Sequence, residues 1–454
     1  MPFLLTAVIW FSLLPAIRQQ AASAAPPQGF WLSDGYGDLI HFDGNTLRAY
    51  ELTAISCIAT NTAKRPDNPG SGPPFVFRSG GAVATITPTS DSGTLRLHSD
   101  GAASDVILHR IPQMPDLCKQ PPPNTPQENY AVFWQIFAEQ YPFFALHKVD
   151  WRAVDKKMRP MVNSETKPAE LFELFRQMIE PLHDAHTGVF APESKSDFDG
   201  WRNDPNHLDD DAWKKAATII ETRYVHGGLQ SYCRGQIQFG NVGHQIGYLR
   251  LTTFYGYGEN DGYDSQLQCL DQSLDAIFGG PKLNGLVIDV RLNEGGDDPL
   301  GIEIASRLTQ KKYLGYFKVA RNNPNLDAPL HFTERQPCWV VPSTIRGFQG
   351  KTVLLIGPDT VSAGETFTMA LQGREPHVRF IGLNTQGVFS DVLVRALPNG
   401  WKIRLPNEVY LTAGGKAFDA TGVPPDVRVP FFSGADLQSG RDAALEEAIN
   451  RLTH

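Results

Sequence analysis

The sequence predicts a mixed chain: a small β domain, then a helical segment, then an α/β core. Three observations predict it. From about residue 26 to 112 apolar and polar side chains alternate between the turn pairs Asp34-Gly35, Asp43-Gly44, Gly80-Gly81 and Asp100-Gly101, the pattern of half-buried strands. Between Pro168 and Leu182 the apolar positions Leu171, Leu174, Phe175, Met178, Ile179 and Leu182 recur at helical spacing. From about residue 240, short apolar runs (Ile246–Leu251, Leu286–Val290, Val353–Ile356 and Val378–Ile381) alternate with helical stretches, as buried strands of an α/β sheet do. A chain of 454 residues is long enough for two or three such units. Its 41% hydrophobic and 20% charged content is that of a globular protein, and a formal net charge of −8 gives no footprint for nucleic acid or anionic membranes.

Taken in order, residues 1–25 read as a signal peptide. Residues 3–17 are apolar but shorter than a membrane span, and Ala22-Ser-Ala24 offers a small-residue cleavage site. The expected location is therefore secreted or periplasmic, with no integral membrane span after signal removal. The β domain is drawn over 26–118 and is interrupted by the Pro- and Gly-rich loop Lys64–Pro74; Pro121–Pro126 is a stiff linker. The helical segment covers 124–192, and its aromatic cluster (Tyr130, Phe133, Trp134, Phe137, Tyr141, Phe143 and Phe144) is expected to be core. Residues 193–239 read as a connection. The core runs over 240–454, with a hairpin-like strand at Trp401–Tyr410 and a last helix burying Leu445, Ala448, Ile449 and Leu452. The five cysteines have no CxxC spacing; export permits one or two disulfides with one thiol left over.

Three segments carry chemistry. Val353–Ile356 ends at Gly357, a short loop follows, and Ser362 opens a helix through Gln372. A serine at that junction has helical amides and the positive helix end beside it, where a nucleophile and an oxyanion are stabilised. The same letters, Ser362-Ala-Gly-Glu365, also spell a capping box. Upstream, the strand Leu286–Val290 runs into Asn293-Glu-Gly-Gly296, whose paired glycines let backbone amides approach a ligand closely. Further upstream, His183-Asp-Ala-His186-Thr-Gly closes the helical segment in a tight turn that can hold an imidazole; a metal reading of the two histidines lacks a third ligand cluster.

Together these elements resemble the S41 serine peptidases, the family of tail-specific (C-terminal processing) and tricorn-type proteases. Asp184-Ala-His186-Thr-Gly is similar to the family's D-x-H-T-G element, Asp289–Gly296 to D-x-R-x-N-x-G-G, and Ser362–Glu365 to the nucleophile element S-A-x-E. Gly382–Gly387 and Gly422–Asp426 are similar to its two later turns, so the resemblance covers roughly residues 125–450. Val388 and Phe389 stand where the tail-specific branch places a catalytic lysine, so the tricorn-type branch fits better.

The resemblance implies a ClpP/crotonase-like spiral of β-β-α units and a serine peptidase acting through an acyl-enzyme on a peptide or protein substrate. It implies Ser362 as nucleophile, His186 as base, Gly295 or Gly296 with Ala363 as oxyanion donors, and Asp419 or Glu365 as the orienting acid. Asp419 is the preferred acid, although the tricorn-type branch has a glutamate there. No metal or organic cofactor is implied. The alternative is a non-catalytic S41-like protein binding a lipophilic ligand or a protein partner.

Overall fold

The computed structural model describes residues 25–454 apart from 68, 69, 71, 203, 261 and 323–327. The segment read as a signal peptide therefore lies, but for Ala25, outside the described residues.

Alternating side chains close into a barrel. Its eight strands β1–β8 are Gly29–Ser33, Asp38–Asp43, Thr46–Leu52, Cys57–Lys64, Phe75–Ser79, Ala82–Pro88, Thr94–Ser99 and Val106–Ile111. Each pairs antiparallel with the next, and β1 pairs with β8. The inward side chains Trp31, Ile40, Phe42, Phe75, Phe77, Ile86, Leu95 and Leu108 fill the interior, and the ring closes most narrowly between β4 and β5, which pair at Lys64 and Arg78. A disulfide joins Cys57 of β4 to Cys118.

Helices α1 (Pro126–Gln140), α2 (Trp151–Met158) and α3 (Pro168–Ile179) follow. Their apolar faces meet, and Phe133 stacks on Phe175 with ring centroids 4.0 Å apart. Of the aromatic cluster, Tyr130, Phe133, Phe137, Tyr141 and Phe143 are buried, while Trp134 and Phe144 are partly buried against them. The same core takes in Trp401, Ile403 and Leu405. The helical stretch stops where His183 adopts a left-handed backbone, φ 47°, and strands β9 (Gly188–Ala191) and β10 (Ser196–Asp199) begin.

The segment 193–239 is more than a connection. It carries α4 (Asp210–Ile219), β11 (His226–Tyr232) and β12 (Ile237–Asn241), and both strands join the main sheet. The chain continues with β13 (Ile246–Leu251), α5 (Tyr263–Gly279), β14 (Gly285–Asp289), α6 (Asp298–Ser306), β15 (Tyr313–Ala320), β16 (Gln336–Val340), β17 (Thr352–Ile356), α7 (Ala363–Leu371), β18 (Arg379–Gly382), β19 (Val392–Ala396), β20 (Lys402–Pro406), β21 (Glu408–Leu411), β22 (Val427–Arg428), α8 (Gly434–Ser439) and α9 (Ala443–Thr453). The main sheet runs β11-β12-β13-β14-β17-β18-β22 and is parallel from β13 onward. Its central strands are buried throughout, which accounts for their unbroken apolar runs.

Trp401–Tyr410 is not one strand. It divides at Pro406-Asn407: β20 pairs with β9 and β19, and β21 pairs with β15 in another sheet. Pro406 has no amide to donate, and Asn407 Nδ2 donates instead to the Gly35 carbonyl of the barrel (3.1 Å).

A second disulfide joins Cys233 to Cys269, and Cys338 is a buried free thiol. Beneath the sheet, the fully buried Arg291 guanidinium lies between Asp289 (2.6 Å) and Asp442 (2.7 Å). Asp442 also caps α9 through the Leu445 amide. The strand β14 is thereby clamped to the last helix. Removing one partner of such a pair leaves a buried charge uncompensated.

Candidate active site

The candidate nucleophile sits at the turn from β17 into α7. Ser362 has φ 55° and ψ −122°, a conformation that costs a non-glycine residue on the order of 1–3 kcal/mol. The surroundings hold it there. The Ser362 amide donates to the Val388 carbonyl (3.0 Å), the Val361 amide to the Asn293 carbonyl (3.0 Å), and the Thr360 hydroxyl to the Val290 carbonyl (2.7 Å). Its carbonyl accepts from the Glu365 and Thr366 amides. A serine on a sharp, strained strand-to-helix turn is presented outward as a nucleophile is.

The capping box is not made. The Ser362 side chain accepts no cap bond, because the positive φ turns it away from the helix. Glu365 points elsewhere too. It is fully buried, and its carboxylate accepts from the Thr385 hydroxyl (2.5 Å) and the amides of Gly387 (2.6 Å) and Val388 (2.7 Å). Glu365 therefore fixes the 385–388 loop, whose Val388 carbonyl in turn holds the Ser362 amide. Burial raises its pKa to about 7, against those three bonds.

The glycine pair divides its roles. The Gly295 amide donates inward to Asn293 Oδ1 (3.0 Å), so it is not turned to the cleft. A Cβ on Gly295 would lie 2.6 Å from Ser362 Cβ, so glycine there permits close approach. Gly296 forms a parallel bridge to Phe254 through its neighbours, with the Phe254 amide donating to the Gly295 carbonyl and the Asp297 amide to the Phe254 carbonyl. Among the described residues, neither the Gly296 nor the Ala363 amide has a partner, and Gly296 lines the same cleft as Ser362.

His186 lines that cleft as well, which measures 640 Å³. The Asp184 carboxylate accepts from the His186 amide (2.9 Å) and from the Tyr141 hydroxyl (2.9 Å), which shapes the turn that carries the imidazole. Burial lowers the His186 pKa to about 4; Asp391 opposes that shift and Arg404 adds to it. No hydrogen bond joins Ser362 Oγ to the ring in this conformation, and apo geometry is commonly loose in this way.

Behind the ring is a second, water-sized cavity of 10 Å³, lined by His186, Asp184 and Asp419 among others. His186 Nδ1 and Asp419 Oδ2 are both buried atoms without a hydrogen-bond partner. Burial, then the neighbouring Glu365 and Asp184 carboxylates, push Asp419 well above the ordinary carboxyl range. Glu365 does not line this cavity. His183 also lines it. Among the described residues no three His, Cys, Asp or Glu side chains group as a metal site.

Sequence reasoning missed one polar cluster. Lys318 of β15 is buried, with its ammonium on Asp391 (2.6 Å) and Glu408 (3.0 Å). Burial opposes its charge, yet those carboxylates outweigh burial and hold its pKa well above the ordinary lysine value. It is therefore a fixed cation and cannot act as a free amine base. Lys318, Asp391 and Glu408 come together from three strands or strand ends, and no local spacing signals them.

The profile of peptidase family S41 matches residues 245–429, and that of the tricorn protease C1 domain matches residues 122–180. Residues 245–429 are thus similar to the S41 peptidases. The chain is 27% identical over 187 residues to a carboxy-terminal-processing protease of Bartonella bacilliformis, a match covering 40% of this chain and 38% of that relative's length. Its fold is similar to that of a candidate peptidase from Parabacteroides merdae (TM-score 0.60, 24% identity, 73% of this chain and 98% of the other). It is also similar to mature CPAF in complex with lactacystin (TM-score 0.52, 11% identity, 72% and 97%). Among the described residues no helix is long and apolar enough to cross a membrane.

Proposed function

We propose that this chain is a serine peptidase of the S41 type that hydrolyses peptide bonds through an acyl-enzyme. The observation that carries the reading is the strained turn of Ser362, beside two unbonded amides and on one cleft with His186. Strain at an over-determined residue is retained where it presents a functional group.

In this reading Ser362 Oγ attacks the substrate carbonyl while His186, neutral at physiological pH, takes its proton. The Gly296 and Ala363 amides hold the tetrahedral oxyanion, aided by the positive end of α7. His186 then protonates the leaving amine. Asp419 is the third member. A cavity of 10 Å³ has room for about one bridging water between its carboxyl and the ring. Through that water the Asp419 carboxyl orients the ring, and as a carboxylate it stabilises the imidazolium. The parallel β13–β14–β17–β18 order with intervening helices supports the ClpP/crotonase-like spiral, and two disulfides support an exported protein. The units proposed are the barrel domain (26–118), the helical segment (124–192) and the catalytic core (240–454) with the 193–239 strands added to its sheet.

The test is an active-site-directed fluorophosphonate on the purified protein, with peptide mapping of the adduct. Labelling at Ser362 together with release of fragments from a random peptide pool is expected. A protein that neither labels nor cleaves is a binding relative of the family and ends the peptidase reading.

A further inference from the structure

Two separate parts of the chain wall the cleft around Ser362. One is the start of β19, through Asp391 and Val392; the other is the barrel turn between β7 and β8, through Asp100, Gly101 and Ala102. The barrel is fixed in that position. Arg395 of β19 pairs with Asp38 (3.2 Å), the Ala396 amide donates to Glu51 (2.6 Å), and the Tyr36 hydroxyl donates to Glu408 (2.5 Å).

β19 is the outer strand of the sheet β10-β9-β20-β19. Its Ala396 amide turns to Glu51 on the barrel, away from β20. Backbone groups alternate sides along a strand, so the amides of Val394 and Val392 face the same edge, where the Val394 carbonyl accepts from Arg395 Nη1 (3.3 Å) and the amides stay open. Val392 and Val394 are 38% and 48% exposed. An open edge leading out of a cleft is a template for another strand.

The cleft is also one-signed. Its lining carries Asp100, Glu294, Asp297 and Asp391, and no lysine or arginine. Lys318 matches Asp391; among the described residues Asp100, Glu294 and Asp297 have no basic partner within 4.0 Å. Low-dielectric walls focus such a field on whatever enters.

We propose that the cleft takes an extended, basic peptide segment, added as a further strand on the free edge of β19 and passing beneath the barrel turn Asp100–Ala102. The proposal rests on the peptidase reading and names its substrate class. The edge supplies sequence-independent backbone bonds, and the unmatched carboxylates supply the preference for lysine and arginine. The barrel thus sets specificity as part of the substrate site.

The test uses fluorogenic peptides with one apolar centre flanked by arginines or by glutamates, on the full chain at low and high ionic strength. The basic peptide should be favoured by about tenfold in kcat/KM at low salt, and salt should erode the preference, as exposed charge pairs are screened. Asp100→Lys, on an exposed turn outside the barrel core, should reverse the preference through KM. Val394→Pro removes one edge amide and should lower the ratio of peptide cleavage to fluorophosphonate labelling for both peptides; backbone N-methylation of the peptide tests the same bond without altering the protein. Equal turnover of the two peptides, with Asp100→Lys matching the wild type, overturns this inference while leaving the peptidase reading standing. Failure of the wild type to label at all overturns the peptidase reading instead.

Discussion

Replacing Gly295 by alanine tests how closely the β14 turn is fitted to the nucleophile. Gly295 has φ +86°, and an added Cβ would lie 2.6 Å from Ser362 Cβ and 3.1 Å from the Val361 carbonyl. The neighbours cannot yield, because the Val361 and Ser362 amides are both bonded (3.0 Å each). The left-handed backbone costs alanine about 1–2 kcal/mol, and overpacking adds about 1–3 kcal/mol. The expected loss is therefore roughly 2–5 kcal/mol. If instead the turn relaxes, Ser362 must move by about 1 Å to regain van der Waals contact, a shift of the kind that lowers turnover about a hundredfold. Gly400 supplies the control, since its φ is +85° with nothing within 4 Å of an added Cβ. Gly400→Ala carries the backbone term alone. Urea midpoints and fluorophosphonate labelling rates of the two variants isolate the contact. Equal destabilisation, with Gly295→Ala labelling at the wild-type rate, would refute the reasoning.

Ser362→Ala should abolish labelling with no loss of stability, since no cap bond is lost, and Ser362→Gly should raise the urea midpoint by relieving the positive φ. With the His186 pKa lowered to about 4 by burial, the acid limb of labelling should lie well below the ordinary imidazole value. For the same reason stability should fall as pH drops from about 6.5 toward 4, because the unfolded chain binds that proton more readily; pH-dependent urea titrations of wild type and His186→Ala check this. Glu365, raised to about 7, works in the opposite direction: the native state loses stability as pH rises from 4.5 toward 7, and Glu365→Gln should flatten that slope while lowering the midpoint overall. Asp419→Asn should lower kcat at a preserved midpoint and cost more turnover than Glu365→Gln, because an amide cannot stabilise an imidazolium; the reverse ranking in kcat would remove Asp419 from the site.

What was legible in the sequence was whatever local pattern encodes. The barrel strands alternate, the parallel strands are unbroken apolar runs, and the helices repeat at 3.6 residues, so those elements could be read directly. The motifs around His186, Gly295-Gly296 and Ser362 each kept a local signature. What could not be read was decided by backbone angle or by distant partners. Ser362-Ala-Gly-Glu365 spells a capping box, but a φ of 55° and the Thr385, Gly387 and Val388 donors 20 to 23 residues away send both side chains elsewhere. Either glycine could have been the oxyanion donor until Asn293 took the Gly295 amide. Lys318, Asp391 and Glu408 meet only through tertiary packing.

The clamp on Arg291 has a temporal side. Its guanidinium pairs with Asp289 two residues away, but completes its bonds only when Asp442 arrives, 151 residues later in the chain. During synthesis, which proceeds at roughly 5–20 residues per second, β14 is translated many seconds before that second carboxylate. The barrel can fold on emergence, because its core is local, whereas the helical core waits for Trp401, Ile403 and Leu405, and the Arg291 guanidinium, already paired with Asp289, waits for its second carboxylate. The clamp behind the turn that abuts Ser362 thus closes only when the N-cap of the last helix is in place.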